Sequence, residues 1–352
     1  MSEPLRVGIV GLGNMGHGHA ESVEEHGHEV AAGVDVVEEK RDGFADAFGA
    51  PTYESHEGMY AGEELDAVIV TTPNKFHEAP TVAGLERDVA VLSEKPLAHT
   101  LESAQRIADA ARESAAFCML GFQWPLREGP SVLKSYIDDG TLGEVTHVEA
   151  SYVRRRGVPG RGGWFTSKEL AGGGALIDIG PHAIDLALHF MDFPDVAAVS
   201  GVTRAEFGGR EDYTYLNMWG EDSGSGDFDV DDSASALLRT ADDSTVSLEV
   251  AWASNRPRTT EYVVRGTEGG AILDVGDDEL TVYETDDRGE DHHRDIDIET
   301  GGEHGDKNRV FFDAVAAGER PPINTVEEGL AVQQVIDGIY RSAEQGGSVS
   351  ID

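Results

Sequence analysis

The feature that most constrains this chain is a glycine-spaced turn between a short apolar run and a polar helical stretch. Val7-Gly8-Ile9-Val10 leads directly into Gly11-Leu12-Gly13-Asn14-Met15-Gly16, which has the spacing G-x-G-x-x-G. The first glycine permits a tight turn, the second lets another group approach the backbone, and the third lets a helix pack closely on a strand. The turn therefore predicts a strand, a loop and a helix at the start of a parallel α/β sheet.

The same turn predicts a dinucleotide-binding site. The first N–H groups of a helix lack intrahelical partners and suit the phosphates of a ligand. The second predicted strand ends at Asp35, 19 residues after Gly16, where a carboxylate accepts hydrogen bonds from ribose hydroxyls. A carboxylate there repels a 2′-phosphate and favours NAD. Lys40 and Arg41 follow closely and keep NADP open as the alternative cofactor.

The pattern of apolar and polar residues changes after about residue 122. Before it, β-branched runs such as Ala67–Thr71 and Val89–Ser93 alternate with helical stretches, which implies a parallel sheet covered on both faces. After it, strand patterns are longer and alternate in polarity, as in an antiparallel sheet with one solvent-exposed face. The sequence predicts a doubly wound Rossmann domain over 1–122. It predicts a larger, mostly antiparallel sheet domain with helices on one face over 123–352.

Charge argues against several classes of partner. Asp and Glu number 67 against 27 Lys and Arg, so the formal net charge is −40. Such a chain repels nucleic-acid phosphates and anionic lipids, and we expect it to bind neither nucleic acid nor membrane. The acid-rich, lysine-poor composition resembles that of proteins from salt-loving organisms. In molar salt the Debye length falls to about 3 Å, which removes most of the repulsion among the acidic groups. The absence of a leader pattern and of a long apolar run predicts a cytoplasmic protein.

Two polar segments directly follow predicted strands. Thr72-Pro73-Asn74-Lys75-Phe76-His77 comes after Ala67–Thr71, and Glu94-Lys95-Pro96 comes after Val89–Ser93. Ligands bind at the carboxyl ends of parallel strands in such sheets. Proline also holds the preceding residue extended. We therefore expect Lys95 at the edge of the cofactor site.

A third segment combines glycines with a carboxylate and an imidazole. It reads Gly172-Gly173-Gly174-Ala175-Leu176-Ile177-Asp178-Ile179-Gly180-Pro181-His182. Asp178 and His182 are four residues apart, so at the start of one helix they project from the same face. We expect the glycines to let the chain approach the cofactor. Asp185 and His189 extend the same predicted amphipathic helix as caps or salt-bridge partners, and no metal site is predicted.

Together with the glycine turn, these segments resemble in order and spacing the glucose–fructose oxidoreductase / inositol dehydrogenase / MocA (Gfo/Idh/MocA) family. The resemblance covers nearly the whole chain. It implies an NAD(P)-dependent dehydrogenase acting on CH–OH groups, a Lys95–Pro96 bond that is often cis, and a lysine pointing to the substrate hydroxyl. The cofactor residues that it implies are Gly11, Gly13, Asn14, Met15, Gly16, Asp35, Thr72, Pro73, Asn74, His77, Glu94, Lys95 and Gln123.

The chemistry of alcohol oxidation assigns roles to Lys95, Asp178 and His182. A hydride leaves for the nicotinamide while a base takes the hydroxyl proton, and the pKa of histidine suits a base near neutral pH. The charge of Lys95 stabilises the developing alkoxide and can relay the proton. Asp178 hydrogen-bonds the substrate hydroxyl and helps to place the imidazole of His182. Whether Lys95 or His182 takes the proton stays open.

The predicted substrate segment lies between a sheet strand and the glycines. Residues 151–165 resemble the Arg-Arg-Gly-x-Pro plus Trp/Phe segment of family members that act on sugars and glycosides. Planar donors and an aromatic plate suit a polyol. Arg154, Arg156 and Trp164 are therefore predicted to bind substrate, together with Lys95, Asp178 and His182. Alternatively, the arginines pair with the abundant surface acids.

One segment departs from the family pattern, and two rival functions stay open. Where the family often has Asn followed by Arg and Phe, this chain has Gly121-Phe122-Gln123, and Gln123 can bond the nicotinamide carboxamide or a ribose. The predicted activity is NAD-dependent oxidation of a sugar, sugar derivative or cyclitol. The rivals are an NADP-dependent aldose dehydrogenase and a non-catalytic NAD(H)-sensing or scaffold protein. A homodimer or homotetramer through the C-terminal sheet is expected.

Overall fold

The computed structural model describes residues 3–219, 222, 228–286, 288–298 and 306–351. The chain forms two compact units, Met1–Phe122 with Asp306–Leu330, and Gln123–Gly305 with Ala331–Asp352. The predicted boundary at residue 122 does not include the later segment Asp306–Leu330, which belongs to the first unit. Phe311 and Phe312 account for that return, because both side chains are buried in the core of the first unit.

The helices and strands lie as follows. The strands are β1 (Arg6–Val10), β2 (Glu29–Val34), β3 (Thr52–Tyr53), β4 (Ala67–Val70), β5 (Ala90–Ser93), β6 (Cys118–Leu120), β7 (Val145–Val153), β8 (Gly157–Pro159), β9 (Val196–Arg204), β10 (Asn217–Trp219), β11 (Ser233–Thr240), β12 (Thr245–Ala251), β13 (Glu261–Gly266), β14 (Gly269–Asp274), β15 (Glu279–Thr285), β16 (Asp291–Ile296) and β17 (Val349–Ser350). The α-helices are α1 (Asn14–Glu25), α2 (Glu38–Phe48), α3 (His56–Gly62), α4 (Glu78–Leu85), α5 (Leu101–Glu113), α6 (Glu128–Asp138), α7 (Lys168–Ala171), α8 (Ala175–Asp178), α9 (Gly180–His189), α10 (Lys307–Ala317) and α11 (Val326–Gln345). Two short 3-10 turns cover Asn74–Phe76 and Trp164–Thr166.

The first unit is built on a six-stranded parallel sheet. Its strand order is β3-β2-β1-β4-β5-β6, and every paired strand runs parallel to its neighbour. Strands β4 and β5 are buried along their whole length, which explains their continuous apolar sequences. The carboxyl ends of β1, β2, β4 and β5 therefore lie along one edge of the sheet, as predicted for a Rossmann fold.

The second unit is built on a nine-stranded sheet of order β16-β15-β14-β13-β7-β12-β11-β9-β17. All neighbours are antiparallel except β7 and β12, which are parallel. Helix α9 packs against β7 and β12. Val202 and Leu237 remain 48% and 49% exposed. The sheet thus confirms the predicted mostly antiparallel domain.

The structure adds one observation about membranes. Among the described residues, no helix is long and apolar enough to cross a bilayer.

Candidate active site

The glycine turn is shaped as its spacing predicts. Gly11 has a φ of +99°, and a Cβ on Gly16 would lie 2.0 Å from the Gly11 carbonyl oxygen. Gly13 is the N-cap residue of α1 and has no side chain to occupy the space there. A Cβ at this position would meet nothing within 4 Å. The start of α1, with Asn14 and the exposed Met15, therefore leaves room beside its N–H groups. That open cradle fits the pyrophosphate of a dinucleotide.

Asp35 ties the end of β2 to the glycine turn. One carboxylate oxygen accepts a hydrogen bond from the Leu12 N–H at 2.9 Å, and the other accepts one from the Val37 N–H at 2.9 Å. The Lys40 ammonium lies 3.6 Å from the same carboxylate. Arg41 donates to the Asp35 carbonyl oxygen at 2.7 Å. Both basic side chains that kept NADP open are therefore engaged by Asp35.

The loop after β4 contributes Thr72, Pro73 and Asn74 at the same edge. Thr72 Oγ1 is buried and has no hydrogen-bond partner among the described residues. A buried hydroxyl without a partner is costly, so a polar ligand group at this position would satisfy it. Together with the open cradle, this orphaned hydroxyl supports a cofactor site along this edge.

His77 has a protein partner at each of its ring nitrogens. Its ring is 1% exposed, with Nδ1 2.9 Å from the Pro96 carbonyl oxygen and Nε2 2.8 Å from the Thr72 carbonyl oxygen. Burial lowers the pKa of His77. The ring thus fastens the loop after β4 to the loop after β5. Its predicted contact with the cofactor stays a prediction.

Glu94 also has protein partners, and its predicted cofactor contact stays a prediction. Its carboxylate lies 2.8 Å from His19 Nε2, pairs with the Lys307 ammonium, and accepts from the Lys95 N–H at 3.3 Å. Burial by itself would raise the pKa of Glu94, but Lys307 and His19 outweigh it and hold that pKa well below its usual range. A Cβ on Gly121 would lie 2.7 Å from the carboxylate, which explains glycine at the departure from the family pattern.

Sequence reasoning missed His19 and Lys307. They lie 75 and 213 residues from Glu94 in the chain, so no local spacing signals the cluster. Lys95 itself is half-buried at the end of β5. Its peptide bond to Pro96 is cis, as the family resemblance implied.

In the second unit, Asp178 and His182 are both 9% exposed. The expected single helix start is wrong. Asp178 ends α8, Ile179 interrupts the helix, and His182 lies in the first turn of α9. Trp252 Nε1 donates to Asp178 at 2.8 Å, and the Trp124 ring stacks on the His182 ring at 5.2 Å. Two tryptophans that sequence reasoning did not assign therefore hold the predicted pair.

The glycines before Asp178 are required inside the second unit. A Cβ on Gly173 would lie 1.9 Å from the Tyr340 hydroxyl oxygen, and one on Gly174 would lie 1.8 Å from the Asp231 carbonyl oxygen. The Asp231 carboxylate accepts from the N–H groups of Gly174 and Leu176, both at 2.9 Å. Tyr340 donates to it at 2.7 Å. Asp231 and Tyr340 thus require glycine at both positions, and the predicted approach of the glycines to the cofactor stays a prediction.

Helix α9 is not the predicted amphipathic helix. All of its residues except His189 are buried, and Asp185 is 1% exposed. Burial, followed by the charge of Lys134, lowers the pKa of His189 to about 4. A helix buried nearly all round belongs to the core, so its polar groups are not surface caps.

The predicted substrate residues divide into two places. Arg154 and Arg156 line a cavity of about 520 Å³. Trp164 stacks on Phe165 with ring centroids 3.7 Å apart and is not among the described residues that line this cavity. Gln123 is exposed. No group of three His, Cys, Asp or Glu side chains among the described residues could hold a metal ion.

Comparison with known proteins assigns both parts of the chain. The family described as "Oxidoreductase family, NAD-binding Rossmann fold" matches residues 5–122, and the GFO/IDH/MocA C-terminal domain matches residues 131–272. D-glucoside 3-dehydrogenase of Escherichia coli K12 is 30% identical, over 99% of this chain and 98% of its own. D-xylose 1-dehydrogenase (NADP(+)) 2 of Haloferax volcanii is 28% identical, over 99% of this chain and 100% of its own.

Solved structures share the fold. Levoglucosan dehydrogenase in complex with NADH superposes with a TM-score of 0.84 at 22% identity, covering 99% of this chain and 100% of that one. The likeness confirms the predicted Rossmann unit followed by a large mixed sheet. The family matches confirm the resemblance seen in the motifs. The chain is therefore a member of the Gfo/Idh/MocA family, an oxidoreductase with an NAD-binding Rossmann unit.

Proposed function

We propose that this oxidoreductase transfers a hydride between NAD and a hydroxyl-bearing carbon of a sugar, a sugar derivative or a cyclitol. The observation that carries the proposal is the built pair of Asp178 and His182, a carboxylate and an imidazole each held by a tryptophan. Relatives whose names specify D-glucoside, levoglucosan and inositol dehydrogenases support this substrate class.

The first unit is proposed to hold the cofactor, which supplies the hydride acceptor when it is bound. The turn Gly11–Gly16 would hold the pyrophosphate, Asp35 the adenosine ribose, and Thr72 a polar group farther along the cofactor. Asp35 supports NAD over NADP because its carboxylate already engages Lys40. The name of the Haloferax relative keeps an NADP-dependent aldose dehydrogenase as the alternative.

Three side chains are proposed to manage the proton of the reacting hydroxyl. His182 is the base, because an imidazole takes a proton near neutral pH. Asp178, fixed by Trp252, accepts a hydrogen bond from the hydroxyl and limits how the imidazole can turn. Lys95 places a positive charge on the oxygen as negative charge develops there. Glu94 and His77 hold the loop that carries Lys95.

The second unit is proposed to bind substrate and to pair with a second copy. Val202 and Leu237 are large apolar side chains half exposed on neighbouring strands of the large sheet. Exposed apolar surface of this kind marks association sites, so we propose a homodimer or homotetramer through this face. The net charge of −40 supports a protein adapted to high salt, where screening reduces self-repulsion.

The experiment that tests the function is a turnover screen in molar KCl. Aldoses, inositols and glycosides, in neutral and in anionic forms, are each offered with NAD+ and with NADP+, and formation of the reduced cofactor is followed by absorbance. We expect turnover of at least one polyol, with NAD+ preferred. Tight binding of NADH without turnover of any alcohol would favour the sensor alternative and refute the enzymatic proposal.

A further inference from the structure

Four of the arginines line one cavity in the second unit. The arginine cluster consists of Arg154, Arg155, Arg156 and Arg258, and the cavity measures about 520 Å³, within the usual size of small-ligand sites. The first three follow one another after β7, whereas Arg258 comes from a segment about 100 residues later. No Asp or Glu is among the described residues that line it, although the whole chain contains 67 of them.

Three arginines of the cluster have no acidic partner among the described residues. Among the described residues, Arg155, Arg156 and Arg258 have no carboxylate oxygen within the 4.0 Å of a salt bridge. Arginines nearby in sequence do pair with acids. Arg256 lies 2.7 Å from Glu249, and Arg161 lies 2.9 Å from Asp222. The alternative that the arginines serve surface acids therefore does not describe Arg155, Arg156 and Arg258.

Neutral groups hold Arg156 in place. Its guanidinium donates to the Thr214 carbonyl oxygen at 3.1 Å and to Asn255 Oδ1 at 3.2 Å. It also lies 4.6 Å from the centre of the Tyr213 ring. These partners orient the guanidinium without cancelling its charge. A planar, oriented guanidinium with no counter-ion is the group that proteins use to bind carboxylate and phosphate oxygens.

Two aromatic rings connect this cavity to the proposed base. Tyr152 lines the cavity, and its ring centroid lies 4.7 Å from that of Trp124. The Trp124 ring stacks on His182 at 5.2 Å. All of these residues belong to the second unit. The cavity is therefore only two ring contacts from the imidazole that would act on the substrate hydroxyl.

We propose that the substrate of this enzyme is an anionic sugar or cyclitol, bearing a phosphate or a carboxylate that the arginine cluster binds. The inference rests on the proposed function and narrows its substrate class. Arg155, Arg156 and Arg258 have no acidic partner among the described residues, so an anion in the cavity would offset the repulsion among their charges. An anionic substituent in the cavity would also orient the sugar ring, which would select one hydroxyl for reaction.

The test is calorimetric titration of the NADH complex with neutral sugars and their anionic counterparts. The pairs are D-glucose with D-glucose 6-phosphate and with D-glucuronate, D-xylose with its 5-phosphate, and myo-inositol with its 1-phosphate. We expect at least one anionic ligand to bind about tenfold or more tightly than its neutral partner. Phosphates and glucuronate as separate arms distinguish a phosphate site from a carboxylate site.

Three variants at exposed positions connect that preference to the cluster. Arg258→Gln and Arg155→Gln should each lower the ratio of anionic to neutral affinity about tenfold. Arg256→Gln is the matched control, because it removes the same charge two residues from Arg258 but outside the cavity, and it should leave the ratio within twofold. Folding of each variant is checked by its melting temperature.

The outcomes are separable from those of the proposed function. Equal affinity for every neutral and anionic pair overturns the inference, even if neutral sugars are oxidised with NAD+. An equal loss in Arg256→Gln and Arg258→Gln also overturns it, because the effect would then be a general one of surface charge. Tight binding of anionic sugars without any turnover would support the site and refute the proposed dehydrogenase activity.

Discussion

Replacing Asp35 by serine should turn the cofactor preference toward NADP. The carboxylate is only 9% exposed and pairs with Lys40, so removing it both deletes an acceptor for the ribose and releases a cation. A charge-assisted hydrogen bond contributes about 1.5–3 kcal/mol, so the loss should weaken NAD binding by about 10- to 100-fold. Arg41 remains beside the same strand end and, with Lys40, can attract a 2′-phosphate.

Loss of the Asp35 carboxylate also removes its repulsion of the 2′-phosphate of NADP+. Two like charges about 4 Å apart near a protein surface interact by about 4 kcal/mol before salt screens them. We therefore expect the ratio of kcat/KM for NADP+ to that for NAD+ to rise at least about 100-fold in Asp35→Ser. Lys40→Gln added to this variant should take back part of the gain.

The assay is initial-rate kinetics with each cofactor at saturating substrate and constant salt. Asp42→Ser is the control, because Asp42 is an exposed acid on α2, the helix that carries Lys40, and its ratio should stay within twofold. Asp35 also accepts two backbone N–H groups, so a lower melting temperature in Asp35→Ser is expected and does not affect the ratio. A ratio that changes less than threefold, or a wild type that prefers NADP+ more than tenfold, would refute this role of Asp35.

Four further predictions address the proton, its support, pH and salt. Lys95→Met and His182→Asn should each lower kcat about 100-fold or more and combine non-additively, with NADH affinity unchanged by fluorescence; near-wild-type turnover in either variant removes that residue from the mechanism. Trp252→Phe should lower kcat about tenfold by freeing Asp178, whereas an unchanged kcat would show that the bond is only structural. Folding lowers the pKa of His189 from 6.5 to about 4, so the contribution of its neutral ring to stability is complete above pH 6.5 and is lost as pH falls toward 4. Between pH 7.5 and 5, the unfolding free energy of the wild type should therefore fall by up to about 2 kcal/mol more than that of His189→Asn, as measured by urea unfolding. An identical pH dependence in the two proteins would contradict this. With a net charge of −40, the melting temperature should rise between dilute buffer and molar KCl, and a flat profile would contradict salt adaptation.

Much of the fold could be predicted because its signals are local. The turn Gly11–Gly16 and the apolar runs of β4 and β5 report their own conformation within a few residues. Parallel strands then bring their carboxyl ends to one edge by geometry alone. Helix α10 was different, because it returns to the first unit through Phe311 and Phe312. A helix pattern contains no information about which sheet covers its apolar face.

The site residues show the same limit. Residue types and their spacing indicated Lys95, Asp178 and His182, since alcohol chemistry needs a base, a cation and an acceptor. The sequence did not indicate that His77 and Glu94 are bound by the protein itself, because a polar residue at a strand end has the same pattern whether it contacts ligand or loop.

What the sequence alone determined is therefore the family, the sheet types and the chemistry that the chain can perform. Only the tertiary structure decided which groups hold that chemistry in place. Trp252 lies 74 residues from Asp178 in the chain, and Tyr340 lies 109 residues from Asp231. Side-chain spacing rules act within one helix turn or one strand, whereas these contacts arise only when packing brings distant segments together and buries their polar groups as pairs.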